Sequence, residues 1–218
     1  MSRERIRARI EEIGIVPAIR VPSAADALFA AKAISDCGIP IAEVTMTVPG
    51  AVEVISELAR TRPELTVGAG TIIDVPTAVR CLDAGAQFLT SPGLDMRIVE
   101  FAAQHDVVVL PGALTPSEIM AAWTAGADFV KVFPCSVLGG AGYIRALKSP
   151  FPSIPLIASG GVTQGNVADF ILAGAVGVGI GRDLINPEAV QRRQVDWIRE
   201  LAGRFLQFVN AARSRRLA

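Results

Sequence analysis

The sequence has almost no histidine: His105 is the only one in 218 residues. That excludes a metal centre built on several imidazoles, and a Ser–His–Asp triad unless His105 itself serves. Its setting, "AAQHDVVV", is the end of a helical stretch ahead of a strand, where an imidazole acts as a cation at a helix C-terminus. Cysteine is nearly as scarce. Cys37, Cys81 and Cys135 are odd in number and lack metal or redox spacing, which favours reduced thiols in a cytoplasm. Net charge is absent too: 21 acidic and 21 basic residues balance, leaving no field suited to nucleic acid or a membrane surface. No segment reaches the ~18 unbroken apolar residues of a membrane span, and "MSRERIRARIEEIG" is too charged for a signal peptide. The expectation is a soluble cytoplasmic protein with no metal and no nucleic-acid or membrane partner.

Lysine is the rarer cation by far. Of the 21 basic residues only Lys32, Lys131 and Lys148 are lysine. One of them, Lys131, sits inside the apolar run "DFVKVFPCS", where a strand would put it on the same side as Phe129 and Phe133. A chain that uses arginine almost everywhere keeps lysine where a removable proton matters.

What is present is a large apolar content, 51% hydrophobic against 19% charged, enough for a sizeable core in one domain spanning 1–218. A phrase recurs along it: a helical stretch, glycine between small residues, then a β-rich run. It reads "SDCGIPIAEVT", "LDAGAQFLTS", "WTAGADFVKVF" and "ILAGAVGVGIG". Glycine just past a helix is a left-handed cap, and the short apolar run after it fits a parallel strand buried on both faces. This predicts eight strands, near Ile15–Ile19, Ile41–Thr45, Thr66–Gly68, Phe88–Thr90, Val107–Leu110, Phe129–Phe133, Leu156–Ala158 and Val176–Val178. Helices are predicted between them, starting at signals such as "VPSAAD", "IIDVPT" and "LTPSE". An N-terminal helix over 1–12 and a last helix over about Pro187–Arg213, within a C-terminal helix and tail at 187–218, complete the pattern. Arginine clusters at both ends (Arg3, Arg5, Arg7, Arg9; Arg213, Arg215, Arg216) read as solvated helix faces. Eight β–α units in about 200 residues predict a (β/α)8 TIM barrel, with a doubly wound open sheet as the alternative.

In such a barrel the chemistry belongs where strands end. Two ionisable residues interrupt apolar strands, Glu43 in "IPIAEVTM" and Lys131 in "DFVKVF". Burial makes a charged side chain costly, and an opposite charge nearby offsets that cost. A lysine so placed can present a neutral amine to a carbonyl and form a Schiff base, while a nearby glutamate ferries protons. The alternative is a buried pair that only satisfies itself, though such pairs add little net stability. A 2-keto acid also needs its carboxylate held. Arg20, ending the first strand, offers a planar double donor, and Thr71 in "GAGT" a hydroxyl beside glycines. A surface arginine and a helix-capping threonine would account for the same two residues. After the last two strands come "SGGVT" and "GIGRD", placing Gly160, Gly161 and Gly181 where barrels often hold phosphate, with Arg182 as a possible reinforcement. Tight turns are the other use of such glycines.

Seven phrases in order, "EVTMTVPGA", "VGAGT", "TSPG", "LPGALTPSE", "FVKVFPCSVLGG", "ASGGVTQGN" and "GVGIGRDL", make the chain resemble the class I aldolases of the 2-keto-3-deoxy-6-phosphogluconate (KDPG) and 4-hydroxy-2-oxoglutarate (KHG) group. The resemblance runs from about Ile15 to Leu184. It implies a (β/α)8 barrel, a homotrimer and no cofactor. It makes Lys131 the Schiff-base lysine, Glu43 the proton carrier and Thr71 a ligand of the pyruvate carboxylate. Pro92 and Phe133 match pocket residues, and Gly160 and Gly161 match phosphate-binding glycines. Two positions depart. Some members carry arginine where this chain has Thr47, and Arg20 is the natural substitute; many have glycine–serine where it has Gly181–Arg182. The implied substrate is a 2-keto acid, KDPG, cleaved to pyruvate and glyceraldehyde 3-phosphate. KHG and 2-keto-3-deoxy-6-phosphogalactonate are close alternatives. A phosphosugar isomerase or epimerase, or a non-catalytic barrel, are distant ones.

Overall fold

The structure, a computed structural model, describes residues 1–217. Its first element is amphipathic. The Ser2 hydroxyl accepts the Arg5 N–H to open helix α1 (Arg3–Ile13), and Gly14 closes it with the left-handed φ of +67°. Helix–strand units follow as β1 (Ile15–Ile19), α2 (Ala24–Ser35), β2 (Ile41–Thr45), α3 (Ala51–Thr61), β3 (Thr66–Gly70), α4 (Val75–Asp83), β4 (Phe88–Thr90) and α5 (Met96–Gln104). The second half runs β5 (Val108–Leu110), β6 (Gly112–Ala113), α6 (Pro116–Thr124), β7 (Val130–Val132), α7 (Ala141–Lys148), β8 (Leu156–Ser159), α8 (Val167–Leu172) and β9 (Gly177–Ile180). Helices α9 (Pro187–Gln191) and α10 (Val195–Leu217) end it, and Ala218, the last residue of the expected tail, lies outside the described residues. The start signals work as capping chemistry. Ser23 accepts the Asp26 N–H, Asp74 the Thr77 N–H, and Thr115 exchanges side-chain and backbone hydrogen bonds with Glu118 ahead of α6.

All strand pairs are parallel, in the order β5-β4-β3-β2-β1-β9-β8-β7-β6. The two ends of that order, β5 and β6, are consecutive in the chain and separated only by Pro111. They are one barrel position, broken where proline has no N–H to give. The Pro111 carbonyl still accepts the Lys131 N–H at 2.9 Å, so the ring closes through the break. Nine strand segments therefore occupy eight positions, and the (β/α)8 reading holds with its fifth strand split. Gly112 is required there, because a Cβ would overlap the Pro92 carbonyl.

The barrel interior is a core of its own. Val16, Ile41, Phe88, Val108, Leu110, Phe129 and Ile157 fill it, and Ile6 and Ile10 of α1 close its N-terminal end. Gly68 leaves the space that the Phe88 ring occupies. Outside the strands, a second and larger apolar layer packs them against the helices. No helix among the described residues is long and apolar enough to cross a membrane.

Two expectations need correction. The last helix is not continuous: it breaks between Gln191 and Val195, where Arg193 takes φ +55°, pairs with Asp26 at 2.6 Å and lies 4.8 Å over the Phe29 ring. That anchoring to α2 redirects the chain into α10. The terminal arginines are also not all solvated. Arg3 grips the buried Asp128 with two N–H groups (2.9 and 3.1 Å), Arg9 donates to the Glu64 carbonyl and the Thr66 hydroxyl, and Arg213 donates to the Glu11, Glu12 and Val176 carbonyls. Asp128 in turn accepts the Val109 N–H at 2.9 Å. Helical periodicity cannot show this, because the partners lie between 37 and 202 residues away. Replacing Arg3 with alanine leaves the Asp128 carboxylate buried without its cation, and urea unfolding is expected to show a loss of about 2–4 kcal/mol.

Candidate active site

Strands β2 and β7 stand on opposite sides of the eight-position ring, and each sends one ionisable side chain inward. Period two places Glu43 above Ile41, and Lys131 between Phe129 and Phe133. They meet across the axis: Lys131 Nζ lies 3.7 Å from Glu43 Oε1, with Lys131 9% and Glu43 2% exposed. The ammonium nitrogen also lies 5.6 Å from the Phe133 ring centroid. Glu43 has its place because its side chain reaches over Gly70 of β3, two residues past its register partner Gly68, and a Cβ at Gly70 would overlap the Glu43 carboxylate. A Gly70→Ala substitution pushes that carboxylate off its position. With a displacement on the order of 1 Å, kcat is expected to fall about 100-fold, while thermal unfolding reports a protein that remains folded.

Above the pair opens a cavity of about 300 Å³. Arg20, at the end of β1, donates from Nη2 to Thr71 Oγ1 at 3.4 Å, and both line the cavity. Thr71 holds φ +62°, which is costly for a β-branched residue and is maintained where the surrounding structure imposes it. Thr47 is elsewhere. Its hydroxyl lies 2.8 Å from that of Thr45, which donates to the Ile19 carbonyl, and Thr47 lines a separate groove with Ile73 and Arg80. The side chain that reaches into the cavity is thus that of Arg20, from the neighbouring strand.

Pro92 and Phe133 form part of the wall, and Gly160, Gly161, Gly181 and Arg182 line the cavity after β8 and β9. Gly160 and Gly161 take φ +86° and +81°; a Cβ would meet Pro134 at the first and overlap Ser136 at the second. Among the described residues, no hydrogen bond takes up the N–H of Gly161 or Val162, and no ion pair engages Arg20 or Arg182.

The structure brings all ten residues singled out in the sequence to this one cavity. It adds others that sequence reasoning missed. Ser159 is 6% exposed and contributes a hydroxyl that donates to the Gly179 carbonyl at 3.4 Å. Its signal was available, two residues after Ile157 on the inward face. Asp183 follows Arg182 at the mouth, and Ile185 lines the cavity from beyond the β9 loop with no local signature. Cys135, four residues after Lys131, is not a rival nucleophile: burial pushes its thiol up to about 11, so it stays protonated at neutral pH.

This pairing of lysine and glutamate in a barrel mouth coincides with similarity along most of the chain. The sequence model described as "Aldolase: KDPG and KHG aldolase" matches residues 6–201. The chain belongs to the KDPG and KHG aldolase family. It is 35% identical over 193 residues to a 2-dehydro-3-deoxy-phosphogluconate aldolase of Pseudomonas aeruginosa, covering 88% of this chain and 87% of the relative. To the KHG/KDPG aldolase of Escherichia coli it is 32% identical, over 86% of this chain and 88% of the relative. Among solved structures, it superposes with a TM-score of 0.84 and 28% identity on the KDPG aldolase of Legionella pneumophila with pyruvate captured as a covalent carbinolamine intermediate, covering 90% of this chain and 96% of that one. Membership of this family makes the chain an aldehyde-lyase.

Proposed function

We propose that this KDPG/KHG-family aldolase cleaves 2-keto-3-deoxy-6-phosphogluconate to pyruvate and glyceraldehyde 3-phosphate through an imine on Lys131. The observation that carries the reading is the 3.7 Å approach of Lys131 Nζ to Glu43 Oε1 in a cavity lined by residues at the strand ends. The amine adds to the C2 ketone to form a carbinolamine, and loss of water gives a protonated imine. Removal of the C4 hydroxyl proton breaks the C3–C4 bond. The aldehyde departs, and the electron pair moves into the iminium to leave an enamine. Protonation at C3 and hydrolysis release pyruvate and the free amine. Glu43 is the group within reach to carry these protons.

Arg20 and Thr71 hold the substrate carboxylate, and Pro92 and Phe133 flank the pyruvyl carbons. Gly160 and the free N–H of Gly161, with Gly181 and Arg182, take the terminal phosphate. A second reading follows from Arg182, since a guanidinium accepts a carboxylate as well as a phosphate: cleavage of 4-hydroxy-2-oxoglutarate to pyruvate and glyoxylate by the same imine chemistry. Pyruvate release measured across phosphorylated and unphosphorylated 2-keto-3-deoxy acids of both C4 configurations, and 4-hydroxy-2-oxoglutarate, decides between them. With KDPG as substrate, Arg182→Ser is expected to raise KM about 10-fold or more and leave kcat within a few-fold. Equal KM for both proteins would remove Arg182 from the phosphate site.

The same reading includes a cytoplasmic homotrimer. Three unpaired cysteines support the reducing compartment. Exposed Ile73, Met120 and Val137 (67%, 55% and 74%) give the barrel apolar surface to cover on assembly.

A further inference from the structure

At the end of the barrel away from Lys131, a second cavity of about 460 Å³ opens between α1, the loops leading into β8 and β9, and α10. Arg7 and Glu11 face it from α1, Lys148 from the end of α7, and Arg213 and Arg216 from α10. Four cations therefore meet one carboxylate, in a chain whose net charge is zero. Glu11 pairs with Arg7 at 3.3 Å, and no carboxylate among the described residues pairs with the other three.

Those three rest on backbone carbonyls instead. Lys148 Nζ donates to the Pro152 and Ile154 carbonyls, both at 2.8 Å. Arg213 donates to Glu11 and Val176 at 2.6 and 2.8 Å, and Arg216 reaches Ile171 and Ala175 only at 3.4 and 3.3 Å. Carbonyl dipoles satisfy N–H groups without cancelling charge, so the cations still repel one another. Burial first, and the Arg216 charge second, hold both Lys148 and Arg213 below their ordinary ranges. Arg213 and Arg216, three residues apart, lie on one face of α10, and the Ser153 hydroxyl lines the same space.

We propose that this cavity binds a small oxyanion of two or more negative charges, a phosphate group either free or as a monoester. A single carboxylate would offset one of the three unpaired cations; a phosphate dianion offsets two and offers forked guanidinium groups several acceptor oxygens at once. Occupancy would join α1, α10 and the loops into β8 and β9 through one ion. The site stands apart from the aldolase chemistry, and its test does not depend on that reading.

The full-length protein is titrated calorimetrically at low ionic strength with inorganic phosphate and, separately, with glycerol 3-phosphate. The same titrations are run on an Arg7→Gln/Arg216→Gln variant, whose two sites are exposed at the surface. The proposal expects at least a 10-fold loss of affinity at one site in the variant, a smaller phosphate-induced rise in Tm (the remainder coming from the phosphate site above Lys131), and unchanged kcat/KM for pyruvate release. Tighter binding of the monoester than of the free ion would assign an organic phosphate; equal or weaker binding, the free ion. An isotherm and Tm response identical in both proteins would overturn the site. So would equal stabilisation of the wild-type protein by sodium chloride at matched ionic strength, since that is screening alone. Should the double variant unfold, Arg7→Gln alone carries the same comparison with at least a 3-fold loss.

Discussion

Lys131→Arg is expected to abolish turnover, by about 10⁴-fold or more in kcat, in a protein that folds and melts like the wild type. Arginine keeps the positive charge opposite Glu43, so the buried carboxylate retains a partner, but a guanidinium does not give up its proton to become a nucleophile. The substitution thus separates two uses of the same position. If Lys131 served only to neutralise Glu43, or only to attract an anionic substrate, arginine would preserve most of the rate. Lys131→Ala is the less informative change, because it strands Glu43 at 2% exposure and is expected to cost about 3–5 kcal/mol of stability. Pyruvate release, together with the urea midpoint, distinguishes lost chemistry from lost fold.

Glu43→Gln is expected to lower kcat by about 10²–10⁴-fold and to change KM by no more than a few-fold. Glutamine fills the same space beside Gly70 and keeps an amide oxygen facing the Lys131 amine, but it cannot accept a proton. Carbinolamine dehydration, C4 hydroxyl deprotonation and enamine protonation all slow, whereas the carboxylate contacts through Arg20 and Thr71 are untouched. The variant should still form its imine with pyruvate, only more slowly. A Glu43→Gln enzyme with full kcat would move the proton transfers to another group in the cavity, and among the described residues Asp183 at the mouth is the only other carboxylate that lines it.

The part of this architecture visible in the sequence is the part written in local patterns. Alternation within "DFVKVF" placed Lys131 inward, and the structure shows it there, between Phe129 and Phe133 in sequence and 3.7 Å from Glu43. Capping residues beside proline located the helix starts, because the hydrogen bonds they make span three residues. What was not legible depends on distance. The sequence pattern ends the fifth strand at Leu110, before Pro111, and only the ladder to β7 reveals that Gly112–Ala113 continues the same barrel position. Arg193 sits in a sequence that still reads as helical, and its pull toward Asp26 and Phe29, more than 160 residues away, breaks the helix. Arg3 and Arg213 read as surface residues on amphipathic helices because their partners, Asp128 and Glu11, lie 125 and 202 residues away. Within the site, Ile185 belongs to a loop that curls back over the cavity, a path no short phrase encodes.

The central claim is that one amine, Lys131 Nζ, bonds covalently to the ketone carbon of the substrate. Incubating the wild-type protein with pyruvate and sodium borohydride, then mapping the product by peptide mass spectrometry, tests it directly. The account predicts a reduced pyruvyl adduct on the peptide containing Lys131, with activity lost in proportion. An unmodified Lys131 in a protein that stays active, or an adduct confined to Lys32 or Lys148, would contradict it.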